Sequence, residues 1–586
     1  MGQNQVFSIQ IVDLNHSGEG VGRKDGRVVF VPYAAPGDLA VVRVVEERRG
    51  FARAELLSLE KESPDRVLPP CPVYLQCGGC QLQHISYDAQ LAYKKHRVEQ
   101  ALRRIGRLEG VPVGDCLPAP RAYHYRNKAR FSYSARRGAQ DGGTAKNVRA
   151  VEDARVDWDD SDGRDGRNDG DACSGWSGFV SGFYGRRTHD VVDFNECLIQ
   201  NHTNNRVFQA LNVLVAERAI PVYGSNILDP VAGGPHTAGG CGAGSAAPYE
   251  GALKHLVARC AGDGKQALAM LVGFGGPLRD VGRVAYELML AVPELIGVVE
   301  EVEPGSKSGE EAGGGGGPSR GAERRQPRRA ASRVVRGAGF LRERILGLEL
   351  MVSVDSFLQV NPEGMEVLYR EAARAADLSG GEVAIDAYCG VGSISLALAR
   401  ECRHVYGIEE VGAAVADARR NAGLNRLTNC TFIAGRVEDV LSARSRGAPG
   451  RPGRTAHAGG EGDRQAAHAE LGVGGGAAAS PRCERAESRG HAPSRGRQAG
   501  RETSALPRHV DVVVLDPPRA GCDRRALHAL AHLEPSRIVY VSCDPETLAR
   551  DLALLAGIGY RPRQVQPVDM FPQTSHVECV VRLNRF

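Results

Sequence analysis

Arg537-Ile-Val-Tyr-Val-Ser-Cys-Asp-Pro-Glu-Thr-Leu-Ala-Arg550 begins with a short apolar, β-branched run that ends abruptly at a cysteine. The run from Ile538 to Val541 predicts a buried strand, and Pro545 stands where the first turn of a helix tolerates proline. Cys543 is therefore expected at the carboxyl end of a strand, where open α/β sheets build their sites. A helix that begins just beyond the thiol predicts a lowered pKa for Cys543. A buried core cysteine is the alternative for a lone residue, so the neighbouring motifs must decide.

Other predicted strands also end in polar side chains. The segment Val383–Leu398 predicts a strand, a glycine turn and a helix. Val405-Tyr-Gly-Ile-Glu409 predicts the next strand, and Glu409 follows the glycines by roughly twenty residues, where an acidic side chain can hold ribose hydroxyls. The turn is G-x-G rather than the G-x-G-x-x-G that cradles a pyrophosphate, so S-adenosylmethionine fits better than NAD. Val510–Arg519 predicts a further buried strand, which places Asp516 at the same sheet edge.

Length and composition bound the class of protein. A chain of 586 residues is too long for one core, which predicts two or three domains. The formal net charge of +4 is dispersed and does not by itself mark a nucleic-acid binder. No apolar run of membrane-spanning length occurs, and the first residues lack a basic segment followed by an apolar one. We therefore expect a cytoplasmic protein with no membrane contact and no obligate protein partner.

The N-terminal segment has the pattern of a small β domain. Short β-branched runs between Val6 and about Leu59 alternate with turn signals, which predicts a barrel of the oligonucleotide-binding type. Several basic and aromatic residues in it would suit an RNA backbone and base stacking: Arg43, Arg48, Arg49, Phe51 and Arg53. An ordinary solvated face explains these residues equally well.

Clustered cysteines suggest a metal site. The chain has fifteen cysteines, an odd number and mostly scattered, which favours metal or catalytic use over disulfides. Cys71-Pro-Val-Tyr-Leu-Gln-Cys-Gly-Gly-Cys80 has the spacing C-x5-C-x2-C, and three thiolates need a fourth ligand. Cys116, Cys173 and Cys197 are the nearest candidates. Cys197 is preferred because it follows a strand-like run outside low-complexity sequence. The spacing is compatible with either an iron–sulfur cluster or a structural zinc.

Two segments after the cysteines have a recognisable pattern. Tyr87 to Arg107 has helical periodicity with a basic face. Tyr123-His-Tyr-Arg-Asn-Lys-Ala-Arg-Phe-Ser-Tyr133 interleaves aromatic residues with cations, as an RNA-contacting strand would. An exposed amphipathic strand gives the same pattern. Three further segments, near 137–177, 303–333 and 442–506, are rich in glycine and arginine and predict disordered inserts.

Together these motifs resemble the RNA uracil-C5 methyltransferase family, which includes the bacterial 23S ribosomal RNA m5U enzymes and their tRNA relatives. The resemblance covers most of the chain, from a TRAM-like barrel and the cysteine pattern to a series of ordered motifs. These are Asp355-Ser-Phe-Leu-Gln-Val-Asn361, Asp386-Ala-Tyr-Cys-Gly-Val-Gly392, Leu515-Asp-Pro-Pro-Arg519, Val541-Ser-Cys-Asp-Pro545 and His576-Val-Glu578.

The resemblance implies a fold in three parts. A TRAM-like barrel would occupy residues 1–62, and a central α+β iron–sulfur and RNA-binding domain would occupy residues 63–348. A Rossmann-like α/β methyltransferase domain that uses S-adenosylmethionine would follow over residues 349–586. The predicted inserts would interrupt the last two domains.

The family also implies roles for particular residues. Cys543 matches the nucleophile and Glu578 the base. Five residues match positions that contact S-adenosylmethionine: Gln359, Tyr388, Ser393, Glu409 and Asp516. A [4Fe–4S] cluster would be bound by four cysteines: Cys71, Cys77, Cys80 and Cys197.

The implied reaction is methylation of C5 of a uridine in 23S rRNA through a covalent bond from Cys543 to C6. The uridine would be flipped out of its stack. Phe357 and the segment Tyr125–Arg130 could hold it there. A tRNA substrate is the alternative within the same chemistry, and the barrel with the cluster cysteines favours the ribosomal branch. The alternative from a different class of protein is a non-catalytic iron–sulfur RNA-binding protein.

Overall fold

A computed structural model describes residues 3–136, 178–224, 251–305, 332–446, 506–507 and 509–586. The predicted insert at 137–177 lies outside these residues, as do most of the inserts near 303–333 and 442–506. Among the described helices, none combines the length and the apolar character needed to cross a bilayer.

The N-terminal segment forms a closed five-stranded barrel, as its sequence predicts. The strand order is β1-β2-β3-β5-β4. The alternating apolar positions point inward, so that Ile9, Val29 and Val42 are buried. The strands are β1 (Val6–Leu14), β2 (Gly20–Lys24), β3 (Arg27–Val31), β4 (Leu39–Glu47) and β5 (Phe51–Lys61).

Carboxylates on the same surface pair with several arginines of the barrel. Arg43 pairs with Glu55, and Arg48 Nε lies 2.7 Å from Glu46 Oε1. Phe51 packs against Phe30 at a centroid distance of 5.5 Å. These contacts agree with the solvated-face interpretation of the barrel.

The central part is a seven-stranded sheet of order β12-β11-β10-β9-β6-β7-β8. Helices α2 (His202–Glu217) and α3 (Val281–Ala291) cover one of its faces. The opposite face packs on the C-terminal part of the chain, so apolar residues occupy both faces of β9 and β10. The strands are β6 (Lys128–Ala135), β7 (Phe179–Tyr184), β8 (Val191–Asp193), β9 (Ala252–Cys260), β10 (Ala267–Phe274), β11 (Leu295–Glu303) and β12 (Arg333–Gly337).

Three of the four tyrosine and phenylalanine rings in the predicted RNA-contacting segment face the core, which corrects that interpretation for these three. Tyr125, Phe131 and Tyr133 are at most 3% exposed. Phe131 stacks on Phe208 of α2 with a centroid distance of 4.1 Å. Phe131 and Tyr133 lie on the face of β6 that packs against α2, and Tyr125, which precedes the strand, packs with Tyr74 and Cys80. These three rings are therefore unavailable to a nucleotide. Tyr125 therefore does not hold the target base.

The C-terminal part begins with a hairpin of β13 (Phe340–Ile345) and β14 (Leu348–Ser353) and continues as a doubly wound sheet. The order β17-β16-β15-β18-β19-β21-β20 is parallel except at β21, which pairs antiparallel with β19 and β20. The strands are β15 (Val383–Ala387), β16 (His404–Glu409), β17 (Cys430–Ala434), β18 (Val512–Leu515), β19 (Arg537–Ser542), β20 (Tyr560–Val568) and β21 (Glu578–Arg585).

Helices cover both faces of this sheet, as expected for right-handed crossovers between parallel strands. They are α4 (Pro362–Ala376), α5 (Ser393–Ala399), α6 (Gly412–Leu424), α7 (Val437–Arg446), α8 (Arg524–Ala531) and α9 (Pro545–Gly557). The α/β fold predicted from the motifs is confirmed.

Helix α1 (Tyr87–Ala101) connects the cysteine segment to the C-terminal sheet. It continues as a single π-helical turn, Leu102–Gly106, and ends at Arg107 in the left-handed conformation. Val98 and Leu102 are buried in the same core as α9 and β21. The predicted helix is therefore confirmed, and it packs on the C-terminal sheet.

Candidate functional site

All seven residues predicted to bind the cofactor or react lie around one cleft. Strands β15, β16, β18 and β19 are parallel neighbours, so their carboxyl ends meet at the same edge of the sheet. The cleft at this edge has an empty volume of about 3430 Å³. Its lining includes Gln359, Tyr388, Ser393, Glu409, Asp516, Cys543 and Glu578.

The glycine turn after β15 holds the Glu409 carboxylate at the mouth of the cleft. The backbone N–H of Gly390 donates to Glu409 Oε2 at 3.1 Å, and that of Val411 donates to Oε1 at 2.8 Å. Tyr388 and Gly392 both have positive φ, of 70° and 86°. A non-glycine residue such as Tyr388 adopts this conformation at a cost, which is typical of positions at binding sites.

A second group of side chains fixes the start of α5. Ser395 donates to the buried Asp386 carboxylate at 2.6 Å. Burial raises the pKa of Asp386 to about 7. The hydroxyls of Tyr369 and Ser393 lie 2.9 Å apart. Ser393 is thereby oriented at the helix N-terminus, where backbone N–H groups favour a negatively charged ligand group.

Arg259 of β9 fixes the loop that carries Gln359, and sequence reasoning missed it. Its guanidinium donates to the carbonyl oxygens of Ser353 (3.0 Å), Ser356 (2.6 Å) and Leu358 (3.3 Å). The Arg259 side chain is fully buried, and burial lowers its pKa to about 10. The sequence signal was a cation inside the apolar strand β9, because a buried charge needs partners.

Cys543 stands immediately after β19, as predicted, but its thiol is not activated by the following helix. Burial raises the pKa of Cys543 to about 12, and the negative charge of Glu578 contributes. The Asp544 carboxylate caps the first turn of α9 by accepting from the N–H groups of Glu546 (2.9 Å) and Thr547 (3.0 Å). Burial outweighs any effect of the helix, and the Asp544 carboxylate further opposes the positive end of the helix dipole. The expectation of a lowered pKa is therefore wrong.

Two carboxyl groups share the floor of the cleft with Cys543. Burial and the charge of Asp516 raise the pKa of Glu578 to about 8, whereas Arg519 acts to lower it. Burial raises the pKa of Asp516 to about 7. Glu578 is 2% exposed, and its Oε2 atom has no hydrogen-bond partner among the described residues. A carboxyl group with a raised pKa at a cleft is a candidate acid–base group.

His576 and Phe357 complete the lining on the open side. Arg519 Nη2 lies 3.4 Å from His576 Nε2. Burial and nearby cations, first among them Arg519, lower the pKa of His576 to about 4. Phe357 is 72% exposed although it lines the cleft. A large exposed aromatic ring at a cleft suits stacking on a flat ligand.

The four predicted cluster cysteines line a separate cavity with an empty volume of about 390 Å³. The cavity wall also includes Tyr74, Phe183, Phe194 and Ile199. Burial raises the pKa of each of the four thiols, and the neighbouring thiols raise those of Cys80 and Cys197 further. The alternative fourth ligand Cys116 lies in the core beneath the catalytic sheet, and Cys173 lies outside the described residues.

A possible cation-binding group lies beside this cavity and was not anticipated. The ligand atoms of His124, Glu196 and His202 all lie within 4.8 Å of one another. The two imidazoles stack at a centroid distance of 4.0 Å, and His124 Nδ1 lies 3.1 Å from Gln200 O. The three residues are dispersed along the sequence without ligand spacing, so no motif could identify them.

Direct contacts connect the cysteine cavity to the reaction cleft. Phe571 packs against the apolar cluster around Tyr74 and Cys80 and also lines the cleft. The backbone N–H groups of Gln81 (2.9 Å) and Leu82 (3.0 Å) donate to Gln573 O. The loop between β20 and β21 therefore contacts the cysteine segment and carries His576 towards Glu578.

The order of the C-terminal sheet, the glycine turn and the acidic strand ends define a Rossmann-like methyltransferase with an appended barrel. Three families match the chain in agreement with this class. The TRAM domain matches residues 3–57, a methyltransferase domain matches residues 378–446, and tRNA (Uracil-5-)-methyltransferase matches residues 505–586.

Relatives match the chain over nearly its whole length. An uncharacterised RNA methyltransferase of Halalkalibacterium halodurans is 32% identical over 99% of this chain and 97% of its own length. One of Listeria innocua is 31% identical over 99% of this chain and 98% of its own length. The chain belongs to the RNA uracil-C5 methyltransferase family and is an S-adenosylmethionine-dependent enzyme.

A solved structure shows the same fold. The tRNA (uracil-54, C5)-methyltransferase of Pyrococcus abyssi, determined in complex with S-adenosyl-L-homocysteine, has a TM-score of 0.59. The alignment covers 98% of this chain and 100% of that one at 23% identity. At this identity the likeness establishes the fold alone.

Proposed function

We propose that the protein methylates C5 of a specific uridine in 23S rRNA through a covalent Cys543 intermediate. The observation that carries this proposal is the position of Cys543 and Glu578. Ser542 of β19 is paired with Cys579 of β21, so the nucleophile and the base are offered from adjacent strands. Both side chains line the cleft that carries the cofactor-binding candidates.

The residues suit the chemistry that C5 requires. Uracil C5 is a weak nucleophile until the Cys543 sulfur bonds to C6 and the C5–C6 electron pair becomes part of an enolate. C5 would then bond to the methyl carbon as the bond between that carbon and the sulfonium sulfur breaks, which would leave neutral S-adenosylhomocysteine. The Glu578 carboxylate removes the C5 proton, the C6–S bond breaks, and the C5–C6 double bond is restored. Glu578 finally releases its proton to solvent.

Cofactor binding is assigned to the other residues of the cleft. The Glu409 carboxylate, fixed by the glycine turn, suits ribose hydroxyls. Gln359, Tyr388, Ser393 and Asp516 surround the same space and offer hydrogen-bonding groups. S-adenosylmethionine supplies the electrophilic methyl carbon and the positive charge of its sulfonium. Asp516 and Glu578 line this cleft and, when ionised, would contribute negative charge that favours a cationic ligand.

The Cys543 thiol must lose its proton before its sulfur can bond to C6. Burial and Glu578 oppose this ionisation, and Arg519 favours it. A cation bound in the cleft would add to the effect of Arg519. We therefore expect Cys543 to be a thiol in the free protein and to become nucleophilic in the loaded cleft.

We further propose that Cys71, Cys77, Cys80 and Cys197 bind a [4Fe–4S] cluster. A tetrahedral zinc with Zn–S bonds of about 2.3 Å would hold its sulfurs about 3.8 Å apart. Among the described residues, no three of these sulfurs lie within 4.8 Å of one another. A four-iron cluster binds each thiolate through a different iron and suits a wider arrangement. The four thiols line one cavity, which supplies that donor set.

A tRNA uridine is the second candidate substrate. The name of the C-terminal family and the Pyrococcus abyssi enzyme both favour it. The alignment with that tRNA enzyme covers 98% of this chain and so includes the barrel. The barrel alone is therefore a weak argument for an rRNA substrate. The ribosomal assignment rests on the resemblance to the 23S enzymes, which combine a barrel with the cluster cysteines.

Tritium release distinguishes these proposals. Transcripts of 23S rRNA and of tRNA are labelled with tritium at uridine C5 and incubated with S-adenosylmethionine and anaerobically purified protein. Release from 23S rRNA alone is expected, because the C5 proton leaves in the last step. Release from tRNA alone would correct the substrate. Absence of release from both, with methyl incorporation elsewhere, would refute C5 chemistry.

A further inference from the structure

The His576 imidazole is held in one protonation state at the edge of the cleft. A guanidinium can only donate hydrogen bonds, so the contact of 3.4 Å from Arg519 Nη2 makes His576 Nε2 an acceptor. Burial and cations lower the pKa of His576 to about 4, so the ring is neutral near pH 7. A neutral ring that accepts at Nε2 carries its proton on Nδ1.

The Nδ1–H group has no acceptor among the described residues and belongs to a ring that lines the cleft. No described residue accepts a hydrogen bond from Nδ1, and this atom is not among the buried polar atoms that lack partners. The ring lines the same cleft as Cys543 and Glu578. The cleft that contains the two groups assigned to bond formation and proton removal thus also contains a free donor.

Neighbouring contacts restrict the movement of the ring. Phe571 meets it edge-on with a centroid distance of 6.0 Å and an interplanar angle of 73°. The His576 backbone N–H donates to Thr574 Oγ1 at 3.3 Å, and Arg97 Nη1 donates to Ser575 O at 2.9 Å. These contacts hold both the ring and its backbone, so the Nδ1–H group keeps one direction. A donor can discriminate between bases only if its direction is fixed.

We propose that His576 reads the target base by donating a hydrogen bond from Nδ1 to O4 of uracil, with Arg519 as the residue that sets its tautomer. This inference rests on the proposed Cys543 chemistry and deepens it. O4 accepts a hydrogen bond, whereas cytosine carries an amino donor at C4 and would oppose the Nδ1–H group. The site therefore selects uracil through a fixed donor.

The same hydrogen bond assists the reaction. When the Cys543 sulfur bonds to C6, negative charge develops on O4 of the enolate. A fixed N–H donor strengthens its interaction as that charge grows and so stabilises the transition state. A neutral imidazole donor also keeps a positive charge away from the sulfonium site.

Substrates with sulfur in place of one carbonyl oxygen test the contact without altering the protein. RNA with 4-thiouridine at the target position has a weak acceptor at C4, and RNA with 2-thiouridine is the matched control. With wild-type enzyme, we expect kcat/KM to fall at least about tenfold more for 4-thiouridine than for 2-thiouridine. Equal effects of the two substitutions would overturn the inference.

Protein variants complete the test. H576L should lower kcat/KM for uridine by about tenfold or more and abolish the difference between the two thiouridines. H576N, whose amide nitrogen can take the place of Nδ1, should retain that difference. Binding of S-adenosylmethionine, measured by calorimetry, should be unchanged in both variants. If H576L keeps the wild-type difference, His576 does not read O4.

Arg519 is tested with the same pair of substrates. R519M removes the cation that makes Nε2 an acceptor, so the ring can carry its proton on either nitrogen and the variant should lose most of the difference between the two thiouridines. A difference as large as in wild type would contradict the role of Arg519 in setting the tautomer. Absence of tritium release from wild-type reactions would overturn the proposed C5 chemistry and this inference together. If wild-type enzyme releases tritium but H576L keeps the wild-type difference between the two thiouridines, this inference alone is overturned.

Discussion

Lys94 Nζ lies 2.5 Å from Asp569 Oδ1, and neither side chain is exposed. Lys94 also donates to Phe571 O at 3.1 Å. Helix α1 therefore holds the start of the loop that carries His576. Breaking a buried pair by removing one partner leaves an uncompensated charge and costs about 3–5 kcal/mol.

K94M should lower the free energy of unfolding by about 3–5 kcal/mol, measured by urea denaturation. The double variant K94M/D569L should recover part of this loss, because no buried charge remains. K95M is the matched control, since Lys95 pairs with the highly exposed Asp115. Equal losses in the single and double variants would show that the pair does not act as a unit.

Activity should rise with pH through the range set by Glu578. Only the ionised carboxylate can remove the C5 proton, and the pKa of Glu578 is raised to about 8. Single-turnover tritium release should therefore increase from pH 6.5 to about 8.5. A flat profile over this range would contradict the assignment of Glu578 as a buried base.

Glu578 should also affect stability in a defined direction. Its folded pKa is about 8 and its unfolded pKa about 4.3, so the native state binds more protons between these values. The free energy of unfolding should therefore fall as the pH rises through this window. E578Q cannot ionise, so it should gain stability relative to wild type as pH increases from 5 to 8. A constant difference would contradict the raised pKa.

Arg259 should affect cofactor binding through the Gln359 loop. R259M removes three hydrogen bonds to loop carbonyls and should raise the Kd for S-adenosylmethionine about tenfold, measured by calorimetry. Arg130 lies on the adjacent strand β6 but is half exposed and pairs with Glu303. R130M should leave the Kd unchanged. Equal effects of the two variants would show that the loop is not fixed by Arg259.

Iron content distinguishes the four cavity cysteines from the others. Anaerobically purified protein should contain about four iron and four sulfide ions per chain. C197A should lose most of this iron, and C116A should retain it, because Cys116 lies under the catalytic sheet. One zinc per chain in place of iron would refute the cluster.

The cofactor-loaded cleft should activate Cys543. The thiol pKa is raised to about 12, so alkylation by iodoacetamide at pH 7.5 should be slow. A cofactor analogue with a protonated amine in place of the sulfonium should accelerate alkylation, whereas S-adenosylhomocysteine, which is neutral at sulfur, should not. Mass spectrometry of the Cys543 peptide measures both rates. Equal rates would exclude activation by cofactor charge.

Local patterns were sufficient to predict the sheet edge. The apolar run Ile538–Val541 and Pro545 predict that Cys543 follows a strand. The G-x-G turn and the next apolar run predict that Glu409 ends a neighbouring strand at the same edge of the sheet. Each prediction depends on neighbouring residues, whose preferences act over one strand or one helical turn. The barrel and the α/β sheet followed from the same kind of signal.

Electrostatics and long-range packing were harder to predict. Asp before Pro predicts the Asp544 cap, but no local pattern predicts the burial that raises the pKa of the Cys543 thiol. Lys94 and Asp569 are separated by 475 residues, so no local pattern links them. Phe131 and Tyr133 share a strand with Lys128 and Arg130, and only the packing of α2 shows which face of that strand is buried.

Covalent trapping with 5-fluorouridine is the most direct test of the account. The fluorine cannot leave as a proton, so the methylated base should remain bonded to the nucleophile. Anaerobic protein is incubated with S-adenosylmethionine and 5-fluorouridine-substituted 23S rRNA fragments, and the adduct is located by mass spectrometry, with C543A as the control. The account predicts one adduct on Cys543 that carries the methyl group. Methylation of normal substrate without an adduct, or an adduct that persists in C543A, would contradict it.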